Sequence, residues 1–200
     1  MPGTIEFWFD FSSPYGYLAA QRIDAVGAKH GRAVDWRPFL LGVVFKTTGM
    51  GPLPHIPLKG DYMRHDLPRS ARRLGVPFTM PSPFPFLSVN ASRAVYWLAD
   101  QDPAKAAQLG KALFDAAFGQ GRDISGAKAV TEVAAEQGLD TEALGAALKD
   151  PAVKERLRAE VETALEKGIF GSPMMVVDGE AFWGHDRLDE LDRWLETGGW

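Results

Sequence analysis

The chain has 200 residues, of which 46% are hydrophobic, and its 22 basic residues stand against 26 acidic ones. This length fits one domain, or one domain with a sizeable insertion, and the hydrophobic content is enough for a core. The charge balance, without a basic block, argues against nucleic acid and anionic membranes as partners. The absence of cysteine excludes a disulfide framework, a protein thiol nucleophile and dithiol redox chemistry carried by the chain itself.

The sequence shows neither a membrane span nor an export signal. No stretch approaches the roughly 18 uninterrupted apolar residues that a transmembrane helix needs. The first residues lack a basic region followed by a small-residue cleavage site. We therefore expect a soluble, cytoplasmic protein.

The first predicted elements are a strand at residues 5–9 and a helix that begins at Pro14 and fades at residues 28–31. Ser13 stands at the N-cap position and Pro14 at the first helical position. Such a pair often has no role beyond capping. The first backbone N–H groups of a helix also carry partial positive charge, however, and can hold an anion such as a carboxylate or a thiolate.

A second strand, predicted at residues 33–40, completes a βαβ unit and implies a parallel strand pair. Residues 41–57 are rich in glycine and proline and show little periodicity, which predicts an irregular loop that could be functional. A helix is predicted at residues 61–74. Four prolines in residues 76–86 then favour an extended connector.

The rest of the chain is predicted to be helical until the sheet resumes near its end. A strand at residues 174–178, an Asp178-Gly179 type I′ turn and a strand at residues 180–183 precede a closing helix. The predicted fold class is thus α/β, with one sheet formed by residues 1–40 and 169–200 and a loop and helical insertion domain at residues 41–168. The helices predicted within the insertion lie at residues 88–98, 102–118, 126–137, 141–148 and 150–168.

This order, βαβ followed by ββα around a helical insertion, resembles the thioredoxin-like fold, in which Cys-x-x-Cys opens the first helix and a cis-proline faces it. The corresponding residues here are Ser13-Pro14-Tyr15-Gly16 and Pro173. Four segments extend the resemblance: Phe-Asp-Phe-Ser-Ser-Pro-Tyr at 9–15, Ile-Pro-Leu-Lys-Gly-Asp-Tyr at 56–62, Ile-Phe-Gly-Ser-Pro at 169–173 and Phe-Trp-Gly-His-Asp-Arg at 182–187. In these the chain resembles the 2-hydroxychromene-2-carboxylate isomerase family and the related kappa-class glutathione transferases.

The resemblance implies that glutathione supplies the sulfur that the chain lacks. It implies that the Ser13 hydroxyl donates a hydrogen bond to the glutathione thiol or thiolate, and that the backbone of Ser172, before the cis-proline Pro173, pairs with the cysteinyl unit. It places the γ-glutamyl group at His185 and Asp186, and a carboxylate of glutathione or of the substrate at Lys59. Without the resemblance, Lys59 is interpreted equally well as a solvated lysine.

The implied reaction is a glutathione-dependent opening and cis-trans isomerisation of a cyclic aromatic hemiketal carboxylate. Related enzymes are commonly homodimers. An aromatic substrate would suit a pocket wall formed by Trp183, Phe45 or Trp8, although each of these is also a candidate core residue.

One position departs from the kappa-class pattern, because Met50 stands where an asparagine contributes to the glutathione site. A thioether cannot replace the donors of an amide. His55 in the proline-rich loop is either a substitute polar contact or an exposed residue.

Three alternatives remain beside the isomerase. The first is a kappa-like glutathione transferase or peroxidase, and the second is an inactive thioredoxin-like binding module. The coincidence of Ser13, Lys59, Pro173 and Asp186 argues against the second, because a scaffold need not keep these groups. The third, a metal hydrolase, is disfavoured because His55, His65 and Asp61 would have to converge from a loop and a helix.

Overall fold

The computed structural model describes residues 3–200 and is built around one four-stranded mixed sheet. Strand β1 (Ile5–Phe9) pairs in parallel with β2 (Val34–Pro38) and antiparallel with β3 (Met174–Val177). Strand β4 (Glu180–Trp183) adds antiparallel to β3, so the strand order is β2-β1-β3-β4. The two ends of the chain therefore form one sheet, which confirms the predicted α/β class; the division into two domains stays a prediction.

The helix after β1 is shorter than the sequence predicts. It is α1 (Pro14–Ala20), and a separate helix α2 (Ile23–Lys29) follows it, so the prediction of one continuous helix is wrong. The two residues at the break, Gln21 and Arg22, form hydrogen bonds with acidic side chains that are distant in sequence. These tertiary contacts accompany a break that the local spacing of apolar residues does not reveal.

The second correction concerns residues 41–57, predicted to be an irregular loop. Helix α3 (Leu41–Thr48) occupies the first half, and a 3₁₀ turn (Leu53–His55) lies in the second. The prediction failed because glycine and proline are concentrated after residue 48, and because the N-cap residue of α3, Leu40, gives no local capping signal.

The remaining predicted helices are confirmed, with ends that differ by a few residues. Residues 76–88 contain neither helix nor strand, as expected for the proline-rich connector. The helix predicted at residues 102–118 ends in a π-type segment (Asp115–Gly119). These helices are α4 (Lys59–Leu74), α5 (Val89–Ala99), α6 (Pro103–Phe114), α7 (Ala127–Glu136), α8 (Thr141–Ala147), α9 (Pro151–Glu166) and α10 (Leu188–Thr197).

Core residues lie on both faces of the sheet. Phe7 and Phe9 of β1 belong to the larger apolar cluster, whereas Trp8 between them belongs to a second cluster. This alternation follows from the two-residue period of a strand. Trp8 is fully buried, so the core interpretation is confirmed and Trp8 is not a pocket wall residue.

Between β3 and β4, Asp178 and Gly179 both have positive φ, as the predicted type I′ turn requires.

Candidate active site

A cavity of about 960 Å³ opens where the β1–α1 turn meets α3, the start of α4, the proline-rich connector and the segments flanking β3 and β4. This volume is near the upper end of the roughly 300–1,000 Å³ typical of small-molecule sites. It brings together residues from segments that are far apart in sequence. All the predicted site residues line it: Ser13, Lys59, Ser172, Pro173, His185 and Asp186.

Ser13 and the segment before β3 meet on one side of this cavity. The Ser13 hydroxyl donates a hydrogen bond to the Ser172 carbonyl oxygen at 2.8 Å and accepts one from the Gly16 N–H at 3.1 Å. The first contact joins the β1–α1 turn to the segment before β3, which face each other in the thioredoxin-like fold that the sequence resembles. The second contact confirms Ser13 as the N-cap of α1. The Ser172–Pro173 peptide bond is cis, as the resemblance implied.

Asp10 organises the same region and was missed as a functional candidate from the sequence. Its buried carboxylate accepts hydrogen bonds from the backbone N–H of Ser12 at 2.8 Å and from that of Leu41, the first residue of α3, at 2.7 Å. Its own N–H donates to the Ser172 hydroxyl at 2.9 Å. Asp10 thus ties the Ser13 turn to α3 and to the cis-proline segment. We call Asp10, Ser13 and Ser172 the polar side of the cavity.

Lys59 and Asp186 supply opposite charges at the cavity rim. Lys59 is the exposed first residue of α4, where a cation is disfavoured by the helix dipole. Asp186 lies exposed in a 3₁₀ turn (His185–Arg187) after Gly184, whose φ of 116° suits glycine. Within residues 3–200 neither side chain forms an ion pair, so both charges are open to a zwitterionic ligand.

Tyr15 links α1, α4 and the 3₁₀ turn, and its role could not be seen in the sequence. Its hydroxyl donates to Asp66 at 2.9 Å, and its ring stacks on His185 with a centroid distance of 5.4 Å. Burial and the Asp66 hydrogen bond raise the pKa of Tyr15 well above its usual value. Burial raises the pKa of Asp66, but hydrogen bonds from Arg69 and Tyr15 outweigh it, so the net pKa is lowered. Tyr15 is therefore a protonated donor and Asp66 an ionised acceptor.

His185 is half-buried between Tyr15 and the cavity. Burial lowers the pKa of its imidazole, and the neighbouring carboxylates Asp186 and Asp66 only partly oppose this effect. His185 is accordingly neutral at pH 7.

Much of the remaining lining of the cavity is apolar. It includes Phe45 and Met50, and Met50 is 46% exposed at the position where a kappa-class asparagine was expected. The aromatic ring of Trp183 packs against Phe170 at a centroid distance of 4.9 Å on the adjacent rim. We call the following residues the apolar wall: Leu41, Val43, Phe45, Met50, Leu53, Ile56, Phe84, Phe86, Leu87 and Val89.

Other candidate residues lie outside the cavity. His55 is exposed and does not line it, and His65 and Asp61 are likewise exposed on α4. Among residues 3–200 no three His, Asp or Glu side chains form a group that could hold a metal ion. In the same part of the chain, no helix combines the length and the apolar character needed to cross a bilayer.

Comparison with known proteins finds similarity over nearly the whole chain. The family model of the DSBA-like thioredoxin domain matches residues 4–196. A 2-hydroxychromene-2-carboxylate isomerase of Sphingobium xenophagum is 34% identical, covering 98% of this chain and 99% of its own. The solved structure of a 2-hydroxychromene-2-carboxylate isomerase superposes with a TM-score of 0.88 at 29% identity, over 96% of this chain and 94% of its own. Glutathione S-transferase kappa 1 of Homo sapiens is 26% identical, with 98% and 94% covered.

Proposed function

The chain belongs to the 2-hydroxychromene-2-carboxylate isomerase family of DSBA-like thioredoxin domains, and from this membership we propose that it is a glutathione-dependent isomerase of 2-hydroxychromene-2-carboxylate-type aromatic compounds. The observation that carries the proposal is the contact between Ser13 and the cis Ser172–Pro173 segment in a chain without cysteine. This contact supports a thiol-binding site, and because the chain has no cysteine the sulfur would come from a ligand.

The residues around Ser13 suit a thiolate. A hydroxyl hydrogen rotates about its C–O bond, so that of Ser13 can turn from the Ser172 carbonyl to a bound sulfur. Hydrogen bonds to an ionised acceptor are about twice as strong as neutral ones, so this donor favours the thiolate over the thiol. Each pH unit by which the thiol pKa falls below its usual value of about 8.5 corresponds to about 1.4 kcal/mol.

The rest of the cavity suits the remainder of a charged tripeptide. The Ser172 backbone would pair with its cysteinyl unit as an added strand does. Asp186, beside His185, would hold the γ-glutamyl ammonium group, and Lys59 a carboxylate of glutathione or of the second substrate. These assignments use two cavity charges, those of Lys59 and Asp186, that form no ion pair within residues 3–200.

When bound, glutathione would supply a thiolate that adds reversibly to a conjugated carbon, turns a double bond into a rotatable single bond and leaves unchanged. The chain's contribution is to hold the sulfur at Ser13 and to seat the aromatic ring of the substrate. The apolar wall, with Phe45 at its centre, provides the surface for that ring. We further propose that the protein acts in the cytoplasm as a homodimer.

A kappa-like glutathione transferase or peroxidase is the second candidate, favoured by the similarity to kappa-class proteins. It would use the same polar side with an electrophile on the apolar wall. A catalytically inactive module is disfavoured, because polar groups from four distant segments converge on one cavity.

The test is to follow ring opening of 2-hydroxychromene-2-carboxylate with and without glutathione. We expect turnover only with glutathione, and none with S-methylglutathione, which cannot form a thiolate. Turnover that does not depend on glutathione would contradict the proposal. Glutathione-dependent conjugation of an electrophile without isomerisation would favour the transferase, and no thermal shift at millimolar glutathione would favour the inactive module.

A further inference from the structure

The side chain of Ser172 has an unused hydrogen-bond donor. Its hydroxyl oxygen accepts the N–H of Asp10 at 2.9 Å. A serine hydroxyl also carries one hydrogen to donate. Within residues 3–200 this hydrogen has no acceptor, whereas the Ser13 hydrogen is donated to the Ser172 carbonyl oxygen. Before a ligand binds, the Ser13 hydroxyl hydrogen is thus donated within the protein, whereas the Ser172 hydroxyl hydrogen is not.

The Ser172 hydroxyl lies close to the position predicted for the glutathione sulfur. Ser172 and Ser13 both line the cavity, and the Ser172 carbonyl contacts the Ser13 hydroxyl at 2.8 Å. A Cβ atom added at Gly16 would approach the Ser172 Oγ to 3.2 Å and the Ser13 Cβ to 3.3 Å. The two serine side chains therefore converge over the same glycine, and a larger residue there would crowd both.

Asp10 makes the Ser172 hydroxyl a better donor. Donation of an N–H to a hydroxyl oxygen polarises the O–H bond, and chains of hydrogen bonds strengthen one another. Because Asp10 is also fixed by the N–H groups of Ser12 and Leu41, its own N–H is held in place. The Ser172 oxygen is thereby anchored while its hydrogen stays free.

We propose that the Ser172 hydroxyl is a second hydrogen-bond donor to the sulfur of bound glutathione, acting beside Ser13 as a further catalytic residue. This inference rests on the proposed glutathione site. Besides the proposed backbone pairing of Ser172, it assigns a function to the Ser172 side chain. The donor matters because a hydrogen bond to an ionised sulfur is stronger than one to a neutral thiol, so it would favour the thiolate.

The test compares Ser172→Thr, which keeps the hydroxyl, with Ser172→Val, which has nearly the shape of threonine but lacks the hydroxyl. The readouts are the ultraviolet absorbance of the bound thiolate as a function of pH and the glutathione Kd by calorimetry, neither of which needs turnover. We expect Ser172→Val to raise the pKa of the bound thiol by about one pH unit, while Ser172→Thr stays near wild type. Ser12→Ala is the matched control, because within residues 3–200 Ser12 uses only its backbone N–H in hydrogen bonding.

Removing the hydroxyl also leaves the Asp10 N–H without its acceptor, so thermal unfolding of each variant is recorded. If Ser172→Val does not fold, Ser172→Ala provides the same comparison with less steric change. An unchanged thiol pKa in a folded Val or Ala variant would overturn the inference, as would a Thr variant that shifts as far as Val. Failure of the wild type to bind glutathione would instead overturn the proposed function.

Discussion

The polar side and the apolar wall of the cavity are built in opposite ways. On the polar side, Asp10 and Ser13 are buried and held by hydrogen bonds of 2.7 to 3.1 Å to backbone groups. On the apolar wall, Leu87 is 74% exposed and Met50 46%, and α3 buries only Val44. From this difference we infer that the fold fixes the geometry of the polar side, whereas the apolar wall tolerates change. Substitutions on the two sides test this division.

The largest effect is expected on the polar side, at Ser13. Ser13→Ala removes the donor to the thiolate, and we expect kcat/KM to fall by about 10²-fold, as for the loss of one anion-stabilising donor in other enzymes. It also removes the N-cap of α1, which costs about 1 kcal/mol of unfolding free energy. Steady-state kinetics and urea denaturation measure the two losses separately.

Ser12→Ala is again the matched control, since its side chain has no assigned function. We expect kinetics within about twofold of wild type and no loss of stability beyond about 0.5 kcal/mol. Equal losses in both serine variants would contradict the choice of Ser13.

Lys59 at the rim should have the next largest effect. Lys59→Met removes an exposed charge, so we expect the KM for glutathione to rise up to about tenfold with kcat nearly unchanged. The effect should shrink at high salt, because an exposed charge is screened. Lys46→Met, which removes a second cavity lysine on α3, is the control, and an equal rise in that variant would argue against a specific contact of Lys59.

A smaller change is expected on the apolar wall. Phe45→Ala removes part of the surface proposed for the aromatic ring, and Phe45 is only half-buried. We expect the KM for the aromatic substrate to rise about threefold to tenfold, corresponding to roughly 1 kcal/mol, without a change in the KM for glutathione. A rise in both KM values would show that the two sides are not separable.

The smallest effect concerns pH and His185. Its pKa is lowered by burial, so below its ordinary value of 6.5 the unfolded chain binds the proton more readily than the folded one. The stability contributed by the neutral imidazole is complete above pH 6.5 and is lost as the pH falls toward the folded pKa. Urea denaturation across this range should show a weaker pH dependence for His185→Gln than for wild type. An unchanged slope would contradict the assignment.

Part of the polar side could be predicted from the sequence for a physical reason, whereas Asp10 was missed. Ser13 and Pro14 form a local cap signal, and the Asp178-Gly179 turn and the apolar run of β3 are also local patterns. Each depends on the backbone preferences of a few consecutive residues, and the structure confirms them.

The features that were missed depend on tertiary contacts. Helix α3 starts at Leu41, whose N–H is bound by Asp10 from a different segment, so no capping residue precedes it in the sequence. The Tyr15–Asp66 hydrogen bond joins residues 51 positions apart. The break between α1 and α2 likewise coincides with long-range contacts of Gln21 and Arg22.

The Asp10 carboxylate also limits how α3 can be replaced by the corresponding segment of a related protein. It holds α3 through the backbone N–H of Leu41 and makes no demand on the side chain there. Any residue except proline, which lacks the N–H, can supply this bond. An exchange of the segment from residue 42 to 56 keeps this anchor of α3 as long as Asp10 and a non-proline residue at position 41 are retained.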